Sequence, residues 1–169
     1  MWKPYLKVIA KKAGEAIHIL DRFHIMAHMG KAIDDVRAQE TKELKANGYE
    51  PILTKTRWLL LKRPENLTEK QGIKLSELLQ YNLKSIRSYL LKEEFQLFWQ
   101  YASPYWAGWF LDKGCNKTMR SKIEPMKKVA RMLRRHRPLL LNWFRAKGQM
   151  SSGVVEGFNT KAKLTTRKA

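Results

Sequence analysis

Apolar residues recur at helical intervals along most of the chain. Ile25, Met29, Ile33 and Val36 are spaced by four, four and three residues, which predicts an amphipathic helix from Phe23 to about Ala46. The pair Asn47-Gly48 then marks a turn. Before this helix, Pro4–Ala13 places Leu6, Ile9, Ala10 and Ala13 near one face and stops at Gly14, the pattern of a short helix. Between the two, Ala16-Ile17-His18-Ile19-Leu20 is an uncharged apolar run, predicted as a buried strand that ends at Asp21.

The middle of the chain reads as helical throughout. Thr54–Arg63 holds Trp58-Leu59-Leu60-Leu61 and is too short to classify. Thr68-x-x-Gln71 has the form of a capping box and opens a long helix whose stripe is Leu75, Leu78, Leu79, Leu83, Ile86 and Leu90. Ser103-Pro104 breaks it, and the aromatic-rich Tyr105–Leu111 begins another element. Pro125 suits a first helical position, with Met126, Val129, Ala130 and Leu133 as the buried stripe and Arg131, Arg134, Arg135 and Arg137 largely on the other side. Pro138 interrupts this helix, and Leu139–Phe144 is a short apolar segment. Gly148–Gly153 reads as a loop, with Ser151 and Ser152 as N-cap candidates for a last helix from about Val154. A single strand is not a sheet, so either Ile17–Leu20 is not a strand or its neighbours lie outside this chain.

Composition changes the picture by its charge. The 169 residues carry 34 Lys+Arg against 15 Asp+Glu, a formal +19, with 44% hydrophobic residues, enough for a core. The charge is uneven. From Lys113 to Ala169 there are 16 Lys+Arg and two acids, so +14 lies in the last third. Such a block favours a polyanionic partner, and nucleic acid leads. One cysteine, Cys115, excludes an internal disulfide framework and a Cys-rich zinc site, and reads as an inert thiol. No apolar run is long enough to span a membrane, and Met1-Trp2-Lys3-Pro4-Tyr5 lacks a signal-peptide core. The expectation is a soluble intracellular protein.

Few residues are placed to carry chemistry. Asp21, directly after an apolar strand, sits where α/β folds put their sites, although Asp is also a favoured helix N-cap. Glu156 follows a Ser-Ser-Gly loop and opens a basic helix, with Asn159 and Lys163 on its face and Lys161, Arg167 and Lys168 around it. The helix dipole alone would also favour a Glu there. Two such acids on different elements suggest a phosphoryl-transfer site using Mg²⁺ or Mn²⁺. Asp34 and Asp35 lie too far along the helix to complete the set. His24 and His28 have a zinc-compatible spacing but no third ligand nearby; His24 is better suited to orienting Asp21 or touching a phosphate. Trp58, Trp99, Trp106, Trp109 and Trp143 form a set that either stacks bases or fills the core.

Four segments, in order, carry a family resemblance: Met1-Trp2-Lys3-Pro4-Tyr5, Leu20-Asp21-Arg22-Phe23-His24, Leu59–Thr68 with its Lys-Arg-Pro-Glu-Asn-Leu-Thr run, and Gly153-Val154-Val155-Glu156-Gly157-Phe158-Asn159-Thr160-Lys161. Together they resemble the DDE-type transposases of bacterial insertion sequences, more narrowly the ISL3 group. The resemblance implies a predominantly α chain with a minor β part: the C-terminal portion of an RNase H-like α/β catalytic core carrying a large all-α insertion. Residues 1–43 would be partial core, 44–147 the helical insertion and 148–169 the final core helix. It implies Asp21 and Glu156 as the second and third catalytic, metal-binding acids, with His24 and Asn159 accessory. Two Mg²⁺ or Mn²⁺ ions would serve the complete site. Arg131, Arg134, Arg135, Arg137, Lys161, Lys163, Arg167 and Lys168 are the DNA-binding candidates.

The implied partner is double-stranded DNA at insertion-sequence ends, in the cytoplasm of a bacterium and associated with its nucleoid. A homodimer, or a heterodimer with full-length transposase, goes with that reading, and a membrane does not. In the family the first catalytic Asp directly precedes the Met-Trp-x-Pro-Tyr motif, and here that motif begins at Met1. The expectation is therefore a truncated chain that binds DNA without cutting or joining it. The rival reading is a non-catalytic basic DNA-binding or transposition-interfering helical protein.

Overall fold

The computed structural model describes residues 17–50 and 52–146, together with Val8, Lys11 and Lys12. The regular elements among them are helical. They are α1 (Arg22–Ala46), α2 (Arg57–Leu61), a 3₁₀ turn at Pro64–Asn66, α3 (Glu69–Leu78), α4 (Lys84–Gln96), a second 3₁₀ turn at Leu97–Gln100, α5 (Pro104–Arg120), α6 (Glu124–Arg135) and α7 (Arg137–Arg145). The first expected helix, apart from Val8, Lys11 and Lys12 (all helical), the Gly148–Gly153 loop and the last helix lie outside the described residues.

The 25-residue α1 is the axis of the fold. Its stripe of Ile25, Met29, Ala32, Ile33 and Val36 is buried, as the spacing predicts, and packs against α2, α4 and α6. Its start is set by Asp21, whose side chain accepts from the Phe23 amide at 2.9 Å. Its end is the predicted turn, where Gly48 takes φ +74°. α5 packs across α6 and α7, and the stripe Met126, Val129, Ala130 and Leu133 of α6 is buried as expected.

An aromatic cluster joins the end of α4 to α7. Phe98 has no exposed surface and stacks on Phe95 at 5.3 Å, with Trp99 and Phe144 edge-on at 4.9 and 5.0 Å. Trp143 in turn meets Trp99 edge-on at 5.5 Å. Each ring removes a large apolar area from water, and the edge-to-face pairs add to that.

Two expectations are corrected. The long helix expected from Thr68 through Leu90 is two helices. The capping box at Thr68 and Gln71 forms, but α3 ends at Leu78 and α4 begins at Lys84. Leu79 and Leu90 of the expected stripe are exposed, and Leu83 is half-buried as the cap of α4. The reason is a side chain from α1. The buried carboxylate of Glu40 accepts from the amides of Lys84 and Ser85 at 2.7 and 2.8 Å, and from the Ser85 hydroxyl at 2.6 Å. These amides belong to the group a helix start leaves without partners, so Glu40 fixes a new helix start where the apolar period runs on unbroken.

The second correction concerns Ile17–Leu20, which form no strand with any described residue. A strand exists only by pairing, and here the His18 carbonyl accepts instead from the side-chain amide of Asn142 on α7 at 2.9 Å. Leu20 is buried in the helical core. The expected minor β part thus has no counterpart among the described residues.

Cys115 is buried between α5 and α6, and its thiol is directed at the Ala130 carbonyl at 3.8 Å. Burial pushes its pKa up to about 11. Its thiolate is therefore scarce at neutral pH, consistent with the inert thiol read from the sequence. In the native protein Cys115 is expected to resist alkylation, and to react fully once the chain is unfolded in denaturant; mass spectrometry before and after denaturation checks this.

Candidate functional site

Asp21 stands at the mouth of a cleft of about 360 Å³. Arg22, Phe23, Met26 and Gly30 of α1 form one wall, and Leu61 and Arg63 come from the end of α2 and the turn beyond it. Lys92 and Gln96 of α4 and Trp143 of α7 complete it. The Asp21 backbone is extended (φ −64°, ψ 127°) and its carboxylate is the helix cap, so the side chain is held at the N-terminal end of α1. The cap reading of Asp21 is thus correct, and the same geometry presents the carboxylate at a cleft.

The cleft is cationic. The Arg22 guanidinium lies over the Trp99 ring, 5.8 Å from its centroid. Burial, and then the charge of Arg63, lower the Arg22 pKa from the ordinary arginine value. Arg63 is exposed and reaches Glu65 at 3.6 Å, a surface contact of little energetic weight. Lys92 is different. Its ammonium is buried, donates to the Leu60 carbonyl at 3.0 Å and more weakly to that of Lys62 at 3.4 Å, and pairs with Glu93 at 2.9 Å. Lys92 therefore fixes the chain leading into Arg63. The buried indole N–H of Trp99 finds no acceptor among the described residues.

The other sequence candidates fall into place around this. His24 and His28 lie on the exposed side of α1. Partial burial, and positive neighbours that include His24 and Lys31, hold His28 below the usual histidine range. Among the described residues no group of three or more His, Cys, Asp or Glu could hold a metal ion. Asp34 is a structural residue: it pairs with Arg37 at 2.7 Å and with Arg57 of α2 at 3.1 Å.

Three of the four clustered arginines have partners within the fold. Arg131 pairs with Glu124 at 2.8 Å, Arg134 donates to Asn116 at 2.6 Å, and Arg137 grips both oxygens of Asp112 at 3.0–3.2 Å. Arg135 is exposed, with no such partner among the described residues. The tryptophans split: Trp99 is core, Trp143 half-buried, and Trp58, Trp106 and Trp109 exposed, with the Lys113 ammonium 3.8 Å from the Trp109 ring centroid. Glu156, Asn159, Lys161, Lys163, Arg167 and Lys168 lie outside the described residues.

Comparison with known proteins decides the family. A model of the DDE transposases of the ISL3 group, described as "Transposase", matches residues 1–169. The chain belongs to the ISL3-group insertion-sequence transposases. One relative, the transposase for insertion sequence element IS1001 of Bordetella parapertussis, is 29% identical over 171 residues, covering 100% of this chain and 42% of its own length. The transposase for insertion sequence element IS1557 of Mycobacterium tuberculosis is 28% identical over 184 residues, covering 96% of this chain and 41% of its own. This transposase chain thus spans about two fifths of the length of the curated relatives it matches. No solved structure matches it. Among its described residues no helix is long and apolar enough to cross a membrane.

Sequence reasoning missed two parts of this neighbourhood: Arg22 with Arg63 as joint lining of one cleft, and Glu40 as the buried cap of α4. Arg22 and Arg63 each lay inside a motif quoted for the resemblance, and that was the available signal.

Proposed function

We propose that this chain is the part of a DDE transposase that carries two of its three metal-binding carboxylates, Asp21 and Glu156. They would stand on an RNase H-like core, with residues 44–147 as an all-helical insertion between them. The observation that carries the reading is the meeting of both ends of the described chain at the Asp21 cleft. Asn142 of α7 holds the backbone at His18, and its neighbour Trp143 lines the cleft with Asp21. Glu156 follows Trp143 by thirteen residues in the sequence. The regular elements of residues 52–146 are all helical, which supports the insertion.

The residues fit a hard divalent cation. Asp21 lines a cleft that also carries Arg22 and Arg63, and Mg²⁺ is commonly held by one or two carboxylates together with water and substrate phosphate. Asp21 and Glu156 would be the protein ligands, and bound Mg²⁺ or Mn²⁺ would supply charge neutralisation at a phosphodiester. The chain's own part is positional. The cap bond to the Phe23 amide restricts the Asp21 rotamer, and the Asn142–His18 bond holds the segment that leads to it. His24, one turn into α1, would orient Asp21 or touch a phosphate, and Asn159 would serve Glu156 as an accessory residue. DNA at insertion-sequence ends is the substrate class, with the clustered arginines and the basic C-terminal residues as its binding surface. A dimer, with itself or with full-length transposase, goes with the family reading.

With two of the three carboxylates, the 169-residue polypeptide alone binds DNA and does not cut it. Incubation with duplex DNA carrying an insertion-sequence end and Mg²⁺ or Mn²⁺ tests this. The expected result is retardation without nicking; metal-dependent nicking abolished by Glu156→Gln would overturn it. One observation favours a second reading, a non-catalytic DNA-binding or transposition-interfering protein: the N-cap bond already accounts for Asp21. The two are separated by substitution. Asn caps a helix as well as Asp does, so Asp21→Asn is expected to keep the fold, whereas Asp21→Ala costs about 1 kcal/mol in thermal or urea unfolding. Loss of metal binding in Asp21→Asn at unchanged stability supports the catalytic reading.

A further inference from the structure

We infer that Arg22 and Arg63 form a two-arginine clamp for one backbone phosphate of the DNA strand that enters the Asp21 cleft. The proposal rests on the transposase reading above and adds to it a phosphate site built from two segments forty residues apart.

Three observations carry it. First, Arg22 and Arg63 line the same cleft as Asp21, although one comes from the first residue of α1 and the other from the turn after α2. Second, the structure holds the Arg22 guanidinium and the backbone that leads into Arg63 in place. Trp99 lies beneath Arg22, and Trp99 is itself wedged among Phe95, Phe98 and Trp143. The buried Lys92 hydrogen-bonds the backbone at Leu60 and Lys62, immediately before Arg63. Third, the charges are unbalanced. The Arg22 guanidinium has no hydrogen bond or ion pair with any described residue, Arg63 reaches Glu65 only at 3.6 Å on the surface, and Asp21 is the single carboxylate among the described residues that line the cleft with them. Two like charges facing a common cleft repel, and an anion between them removes that cost. Arginine pairs bind phosphate oxygens through planar, forked donors, which suits a phosphodiester better than a compact ion.

The test uses the 169-residue chain with Arg22→Gln, Arg63→Gln and the double variant. Duplex-DNA affinity is measured by fluorescence anisotropy from low to moderate salt. A phosphate contact contributes about 0.9 to the slope of log K against log salt for duplex DNA. The double variant is therefore expected to lower that slope by about 0.9, and each single variant by less, because the arginine that remains still pairs with the shared phosphate. Arg63 is exposed, so Arg63→Gln leaves the fold intact even if Arg22→Gln loosens Trp99. Unchanged slopes in a chain that binds DNA overturn the clamp and leave the transposase reading standing. A double variant that lowers the slope by about 1.8, with about 0.9 from each single variant, contradicts the shared phosphate. Absence of any DNA binding by the wild-type chain overturns both. Inorganic phosphate is the competitor arm: displacement of DNA by millimolar phosphate from wild type, but equally from the double variant, contradicts the clamp.

Discussion

Glu40→Ala is expected to destabilise the fold by about 3 kcal/mol, the order of cost when buried amide and hydroxyl donors lose their charged acceptor. The wild-type carboxylate is buried and takes three hydrogen bonds of 2.6–2.8 Å from Lys84 and Ser85. Removing it leaves the buried amide and hydroxyl of Ser85 without their acceptor, and frees the part-buried amide of Lys84, at the first turn of α4. The dipole of α4 also loses the negative charge that its N-terminus favours. Glu40→Gln is expected to cost less, since one carbonyl oxygen still accepts. A whole domain is stable by only about 5–15 kcal/mol, so the alanine variant sits near the limit of folding. Urea unfolding followed by far-UV circular dichroism checks this. A loss below about 1 kcal/mol, the worth of one ordinary hydrogen bond, would contradict the role given to Glu40.

Duplex-DNA affinity is expected to fall by about 10³-fold or more between 50 and 200 mM salt, the behaviour of a protein that neutralises six to ten phosphates. The basis is the distribution of charge rather than its total. Residues 113–146 alone carry eleven Lys+Arg against the single acid Glu124. Within that region Arg131, Arg134 and Arg137 already have partners, but the Arg131–Glu124 pair is exposed and phosphate competes with it at low cost. Arg137 is different: its bidentate grip on Asp112 ties α7 to α5, so Arg137→Ala is expected to act on the fold as well as on DNA. Anisotropy with a labelled duplex measures the salt dependence, and a change under tenfold over that interval would contradict a phosphate-dominated interface.

Much of the fold was legible because local signals agreed with packing. The α1 stripe, the Thr68–Gln71 box and the α6 stripe all lie where their spacing puts them. The break between α3 and α4 was hidden because its cause is 44 residues away in sequence. A trace of it was present: Glu40 continues the register of Ile25, Met29, Ile33 and Val36, and an acid in line with an apolar stripe needs a buried partner. Ile17–Leu20 misled for a different reason. Apolar content marks burial, and Leu20 is buried, but pairing decides strand. For the candidate site, Asp21 was singled out from its position, whereas its sharing of a cleft with Arg22, Arg63 and Trp143 is tertiary and has no signature in spacing.

Asp21 and Glu156 are proposed to bind divalent metal at one site. Fe²⁺ binds oxygen ligand sets much as Mg²⁺ does, and with ascorbate and peroxide it generates radicals that cut the backbone beside the metal. The wild-type chain, bound to duplex DNA at low salt, is predicted to be cut near both residue 21 and residue 156. Mg²⁺ in excess is predicted to suppress both cuts, and Asp21→Asn, which keeps the helix cap, to abolish them together. Cutting at only one of the two positions, or at both in Asp21→Asn, would contradict the claim.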